Sequence, residues 1–160
     1  MTRQKRIEGE LNAARNIQIG ILPNLNNTMP KSIFAIAAFL EPAREVGGDL
    51  YDSFTLEDGP KALVMGDVSS KDVPAALFMT MSVMLKLYAL SSGVDPAQTL
   101  TRVNALLEEH NPGNMFITLF LALYSPDTGD ILYANGGHCP PFVMDTEGRL
   151  RQLKKLSGPS

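Results

Sequence analysis

Two aspartates, each preceded by glycine, are the groups in this chain best placed to hold a cation. Asp49 lies in Glu45-Val46-Gly47-Gly48-Asp49-Leu50-Tyr51-Asp52. Glycine permits close backbone approach or a positive φ, so Gly47 and Gly48 would let Asp49 be held against a ligand that a side chain would exclude. Asp67 follows the apolar run Leu63-Val64-Met65-Gly66 and precedes Val68-Ser69. A buried strand ending in Gly-Asp delivers a carboxylate to the end of a sheet. Hard cations such as Mg²⁺ and Mn²⁺ take oxygen ligands there and keep several waters. Spacing alone does not bring the two aspartates together, and on these residues two unrelated turn carboxylates are the competing reading.

The remaining reactive side chains point elsewhere. His138, in Gly137-His138, is the obvious candidate for a general acid, but a turn histidine satisfied by backbone bonds is the commoner arrangement and is expected here. His110 follows Glu108-Glu109 and suits a helix C-terminus, where positive charge is favourable. Cys139 sits in a proline-rich turn with no matched partner for nucleophilic or zinc chemistry.

The elements that must position these residues alternate in texture. Ile7, Leu11, Ala14, Gln18 and Ile21 recur at steps of four and three, the seam of an amphipathic helix or short coiled coil over residues 1–22 that ends at Pro23. Burial of Ile7, Leu11, Ala14 and Ile21 against a second chain or a helix pair is expected. Three strand-like runs follow, IFAIAAFL, DLYDSFTL and KALVMGDV. Helices are predicted over Pro74–Ser91 and Pro96–Glu109, and then MFITLFLALY, ILYANGG, PFVMD and RLRQL return to strands. Strands grouped on either side of a helix pair argue for an α+β fold with largely antiparallel sheets.

Composition narrows the partners. With 14 basic and 17 acidic residues the net charge is −3, which supplies no electrostatic pull toward nucleic acid or an anionic membrane. A single cysteine excludes an internal disulfide, and no apolar run spans a bilayer, so a cytoplasmic domain without direct membrane contact is expected.

The series Ala14–Pro23 (ARNIQIGILP), Glu41–Asp52 (EPAREVGGDLYD), Met65–Leu77 (MGDVSSKDVPAAL), Met115–Leu119 (MFITL) and Tyr133–Pro141 (YANGGHCPP) resembles the SpoIIE/RsbU-type phosphatases, bacterial members of the metal-dependent protein phosphatase 2C class. The pieces occur in the family order over nearly the whole chain. The resemblance implies two antiparallel sheets packed as a sandwich with flanking helices, incomplete at the C-terminus, with residues 1–22 as a linker helix and 23–160 as a partial phosphatase domain. It implies dephosphorylation of phosphoserine or phosphothreonine on a regulatory protein, such as a STAS-type antagonist of an anti-sigma factor. Two divalent ions, Mn²⁺ or Mg²⁺, are expected. Asp49 would bridge them, and Asp67 with the main-chain carbonyl of Val68 would bind one. Gly47 and Gly48 would support the site, while Asp52 is expected in an outer or packing position. The helix pair resembles the family's regulatory switch, with Met79, Met81 and Met84 suited to a repacking interface. A homodimer through the N-terminal helix or that pair would follow.

The sequence also departs from the pattern. Where the family usually reads Asp-Val-Ser-Gly-Lys-Gly, this chain has Asp67-Val68-Ser69-Ser70-Lys71-Asp72, which keeps a catalytically silent interaction module as the alternative. The family's further metal-binding aspartates normally follow the segment ending Leu156-Ser157-Gly158-Pro159, so these residues alone are expected to be weak or inactive as an enzyme. Gly47-Gly48-Asp49 also invites comparison with diguanylate cyclases, but Leu50-Tyr51 replaces their usual Glu-Phe continuation.

Overall fold

The computed structural model describes residues 3–23, 35–41, 47–56, 59–69, 95–109 and 115–153. The expected helix over 74–91 with Met79, Met81 and Met84, the loop residues Ser70, Lys71 and Asp72, and His110 lie outside them.

The described elements are helix α1 (Arg3–Ile21), strands β1 (Asp49–Thr55) and β2 (Lys61–Val68), helix α2 (Pro96–Glu109), and strands β3 (Ile117–Tyr124), β4 (Ile131–Gly136), β5 (Phe142–Met144) and β6 (Leu150–Gln152). Strands β1 to β4 form a sheet in chain order, and β5 and β6 form a second, two-stranded one. Every neighbouring pair is antiparallel. The expected α+β class with antiparallel sheets is therefore the one observed. No helix among the described residues is long and apolar enough to cross a membrane.

Period-two alternation decides which face of the large sheet is dry. Ala62, Val64, Gly66 and Val68 of β2 are buried, and the residues between them are half-buried or exposed. In the central strand β3, Leu119, Phe120, Leu121 and Ala122 are all buried, as a strand with neighbours on both edges and cover on both faces requires. Helix α2 begins where Asp95 caps it: Ala97 N–H and Gln98 N–H donate to Asp95 Oδ1 at 2.9 and 3.1 Å, and Pro96 occupies the first helical position. Its buried face presents Thr99, Val103 and Leu107 at four-residue steps. This face lies over β3 and β4, and Val103 and Leu107 join Leu50, Val64, Val68, Leu119 and Leu121 in the core.

One expected strand is corrected. Residues 35–41 belong to no strand, although the texture of the IFAIAAFL run predicts one. Ile36 and Phe39 instead line a cavity with Tyr51, Met65 and Phe120, so the segment lies against the sheet's face opposite α2. Its alanines, Ala35, Ala37 and Ala38, have weak strand preference, and the segment stays half-buried at most, with Phe39 85% exposed.

Helix α1 agrees with the expected span, and within the single chain its seam is only partly covered. Ile7 and Ile21 are 44% and 37% exposed, Leu11 and Ala14 are half-buried, and the buried residue of the helix is Gln18.

Candidate metal centre

The register of β1 and β2 pairs Asp49 directly with Asp67. The two carboxylates that sequence spacing could not relate are thus brought together at one end of the sheet. Val68 N–H donates to Gly48 C=O at 3.2 Å, which makes 48 and 68 the hydrogen-bonded pair and leaves Asp49 and Asp67 as the non-hydrogen-bonded pair beside it. Side chains are closer in such pairs, with Cα atoms about 4.5 Å apart. Both aspartates are exposed and lie on the face opposite α2, since Leu50, Gly66 and Val68 alternate with them into the core. The same alternation turns the N–H and C=O of Val68 toward β1, the strand that carries Asp49.

Like charges directly opposed on adjacent strands are destabilising, and a cation held between them would relieve that repulsion. Two hard oxygen donors and an adjacent carbonyl suit a divalent cation of the Mg²⁺ or Mn²⁺ type. Among the described residues no cluster of three or more His, Cys, Asp or Glu forms, so these donors fit one cation in part, with water completing its shell.

The other candidate residues fall into place around this pair. Gly48 is buried and Gly47 half-buried at the entry to β1. Asp52 lies three residues beyond Asp49, hence on the opposite face, where its carboxylate accepts the N–H of Ser53 at 2.8 Å. His138 is held as a turn residue: its N–H donates to Asn135 Oδ1 at 2.8 Å, and Asn135 Nδ2 donates to His138 C=O at 3.0 Å. Gly137 before it takes φ 80°, a conformation open chiefly to glycine. Cys139 is exposed.

Three residues not singled out for the site support it. Thr118 is the register partner of Asp67 on β3; its Oγ1 lies 3.5 Å from the main-chain oxygen of Asp67 and 2.9 Å from His138 Nδ1. Gly66 is required by packing, because a Cβ there would lie 2.7 Å from Leu119 Cδ2 and 3.0 Å from Thr118 C=O. Gln18 pairs with Gly47 through both amide atoms, its Nε2 donating to Gly47 C=O and its Oε1 accepting Gly47 N–H at 3.1 Å.

Fold and site define an antiparallel α+β domain with paired aspartates at a strand end, and comparison with known proteins agrees with that class. Residues 57–160 match the family described as Stage II sporulation protein E, SpoIIE, and the chain belongs to that family. Asp67 and Val68 lie inside the matched segment, and Asp49 precedes it. The chain is 34% identical over 179 aligned residues to Protein IcfG of Synechocystis, covering 94% of this chain and 28% of IcfG. It is 34% identical over 143 residues to phosphoserine phosphatase RsbU of Bacillus subtilis, covering 87% of this chain and 41% of RsbU. The chain therefore spans less than half of either relative. The SiaA-PP2C domain of Pseudomonas aeruginosa shares the fold with a TM-score of 0.70 at 24% identity, over 82% of this chain and 54% of that one.

Proposed function

We propose that this chain is the metal-dependent phosphatase domain of a cytoplasmic signalling protein. It would remove phosphate from phosphoserine or phosphothreonine on a regulatory protein of the STAS type. The observation that carries the reading is the direct pairing of Asp49 with Asp67 at the sheet end in a chain of the SpoIIE family. Asp49, Asp67 and the carbonyl of Val68 would contribute oxygen ligands to divalent cations, Mn²⁺ or Mg²⁺, with water completing the shell. Bound there, such ions would lower the pKa of water and neutralise charge on phosphate oxygens. Gly47 and Gly48 set the backbone that aims Asp49, and the ladder bond from Val68 N–H to Gly48 C=O fixes the distance between the strands. Thr118 braces Asp67 from the other side. Residues 1–22 serve as a linker helix and 23–160 as the phosphatase domain, and the exposed Ile7, Ile17 and Ile21 of α1 support a homodimer through that helix.

The test is turnover of a phosphorylated STAS-type protein by the intact protein, with Mn²⁺, with Mg²⁺ and with EDTA. Phosphate release that needs a divalent ion and disappears in Asp67→Asn supports the reading. Tight binding of the phosphoprotein with no release under any ion would instead favour the silent interaction module, for which Ser70 and Asp72 in place of the family's glycines already argue.

A further inference from the structure

Helix α1 is anchored by a polar residue. Over its 19 residues, Arg3 to Ile21, the buried side chain is Gln18, which is 5% exposed, while Ile17 and Ile19 on either side of it are 67% and 43% exposed. A glutamine is an uneconomical choice for burial unless both ends of its amide are satisfied. Here they are, and by one residue: Gly47 accepts from Nε2 and donates to Oε1.

The position of Gly47 gives this contact its consequence. Strand β1 is at the edge of its sheet among the described residues. Gly48 turns its carbonyl inward to Val68, so alternation turns the N–H and C=O of Gly47 outward, away from β2. The amide of Gln18 presents one donor and one acceptor in the arrangement of a peptide group and takes the place of a single residue of a neighbouring strand. Residues 47 and 48 are therefore gripped from both sides, by Gln18 outside and by Val68 inside. Asp49 is the next residue. Its partner Asp67 is set by β2, so the distance between the two carboxylates depends on where this short stretch is held.

We infer that Gln18 is a positioning residue for the Asp49–Asp67 pair, fixing through Gly47 the backbone that aims Asp49. The inference rests on the cation-binding reading above and adds a residue from outside the sheet, 29 positions from its partner. Leu22, the residue after α1, packs against the core cluster and takes no part in the Gln18–Gly47 hydrogen bonds. That provides an internal control, because truncating Leu22 weakens packing next to the helix without touching Gly47.

The experiment measures Mn²⁺ affinity of the intact protein by calorimetry and backbone amide exchange by NMR, for Gln18→Met, Gln18→Asn and Leu22→Ala. Methionine keeps length and helix preference and removes both hydrogen bonds. Asparagine stays polar but is one methylene too short, and it serves if the methionine variant does not fold. Both Gln18 variants are expected to bind Mn²⁺ about 10- to 100-fold more weakly, the usual effect of removing a group that orients a ligand. Exchange at Gly47 to Asp49 should accelerate while β2 and β3 stay protected. Leu22→Ala should lower the melting temperature and leave Mn²⁺ affinity within about twofold. Unchanged affinity and exchange in the Gln18 variants would overturn the proposal, as would an equal loss of affinity in Leu22→Ala. If the unmodified protein does not bind Mn²⁺, the cation reading itself fails. The role of Gln18 is then decided by exchange alone, with unchanged protection at Gly47 to Asp49 refuting it.

Discussion

Thr118 Oγ1 lies 2.9 Å from His138 Nδ1, and Thr118 is at the same time the register partner of Asp67. The hydroxyl has one proton to give, so its two neighbours cannot both accept it: either it donates to the ring nitrogen, or it accepts from Nδ1–H and donates toward Asp67 C=O. In both cases β3 ties the strand bearing Asp67 to the turn bearing His138.

Thr118→Val keeps the shape and the strand preference of the residue but leaves the imidazole without this partner. A loss of about 0.5–1.5 kcal/mol is expected, the usual net worth of a hydrogen bond. Paired with His138→Phe in a double-mutant cycle read by chemical denaturation, the two changes should be less than additive. Full additivity would show that the contact contributes nothing to stability.

Gly66 makes a different prediction, because its role is steric. A methyl group at this position would meet Leu119 Cδ2 at 2.7 Å, Thr118 C=O at 3.0 Å and Leu50 Cγ at 3.3 Å, so Gly66→Ala must displace backbone as well as side chains. Overpacking of this kind costs typically about 1–3 kcal/mol. Thermal unfolding of the variant should show a lower midpoint, and a midpoint equal to that of the parent would mean that β2 and β3 separate more easily than their packing implies.

The parts of this fold that the sequence disclosed are those governed by local chemistry. Pro126-Asp127-Thr128-Gly129 reads as a turn, and Gly129 N–H donates to Ser125 C=O at 2.8 Å with φ 77°. The helix expected from Pro96 begins there, and the structure adds Asp95 as its cap. Asp49 and Asp67 are legible as strand-end carboxylates, and the family motifs name them as a pair, but their register is a long-range fact that no local pattern contains. Gln18 illustrates the limit: it falls on the helical seam as expected, yet its partner is Gly47, and seam position does not distinguish an apolar contact from a bidentate hydrogen bond. The IFAIAAFL run misleads as well. Residues 35–41 alternate between exposed and half-buried, with Phe39 85% exposed, so the apolar texture of the run corresponds neither to a ladder nor to burial.

Asp145 yields a prediction about pH. In the turn joining β5 to β6, Arg149 Nε donates to Asp145 Oδ2 at 2.7 Å, while the N–H groups of Arg149 and Glu147 donate to Oδ1 at 2.9 and 3.0 Å. The Arg149 side chain first, and then these backbone donors, hold the carboxyl below the usual aspartate value. A depressed folded-state pKa means that the turn's stabilisation is present above the ordinary value and is lost as pH falls through the lower, folded one. NMR titration should find the Asp145 midpoint below that of an unstructured aspartate, and Arg149→Ala should move it upward. The site is exposed, so raised salt should weaken the part that is coulombic.

The most direct test of the carboxylate pair is its stability without any cation. Asp49 and Asp67 face each other in a non-hydrogen-bonded pair, where like charges oppose association of the strands. Asp67→Asn removes one charge with almost no change in shape. It also spares the contact between Thr118 Oγ1 and the main-chain oxygen of Asp67, since that contact involves no side-chain atom of residue 67. In EDTA the variant should therefore melt at a higher temperature than the parent. In Mn²⁺ the order should reverse, because a ligand at free concentration L that binds only the folded state stabilises it by RT ln(1 + L/Kd), and the variant has lost a charged donor. Differential scanning calorimetry of both proteins, in EDTA and over a series of Mn²⁺ concentrations, reads the two effects separately. A variant less stable than the parent in EDTA would mean that the two carboxylates do not repel each other in the folded protein. Equal shifts with Mn²⁺ in the two proteins would place the cation elsewhere.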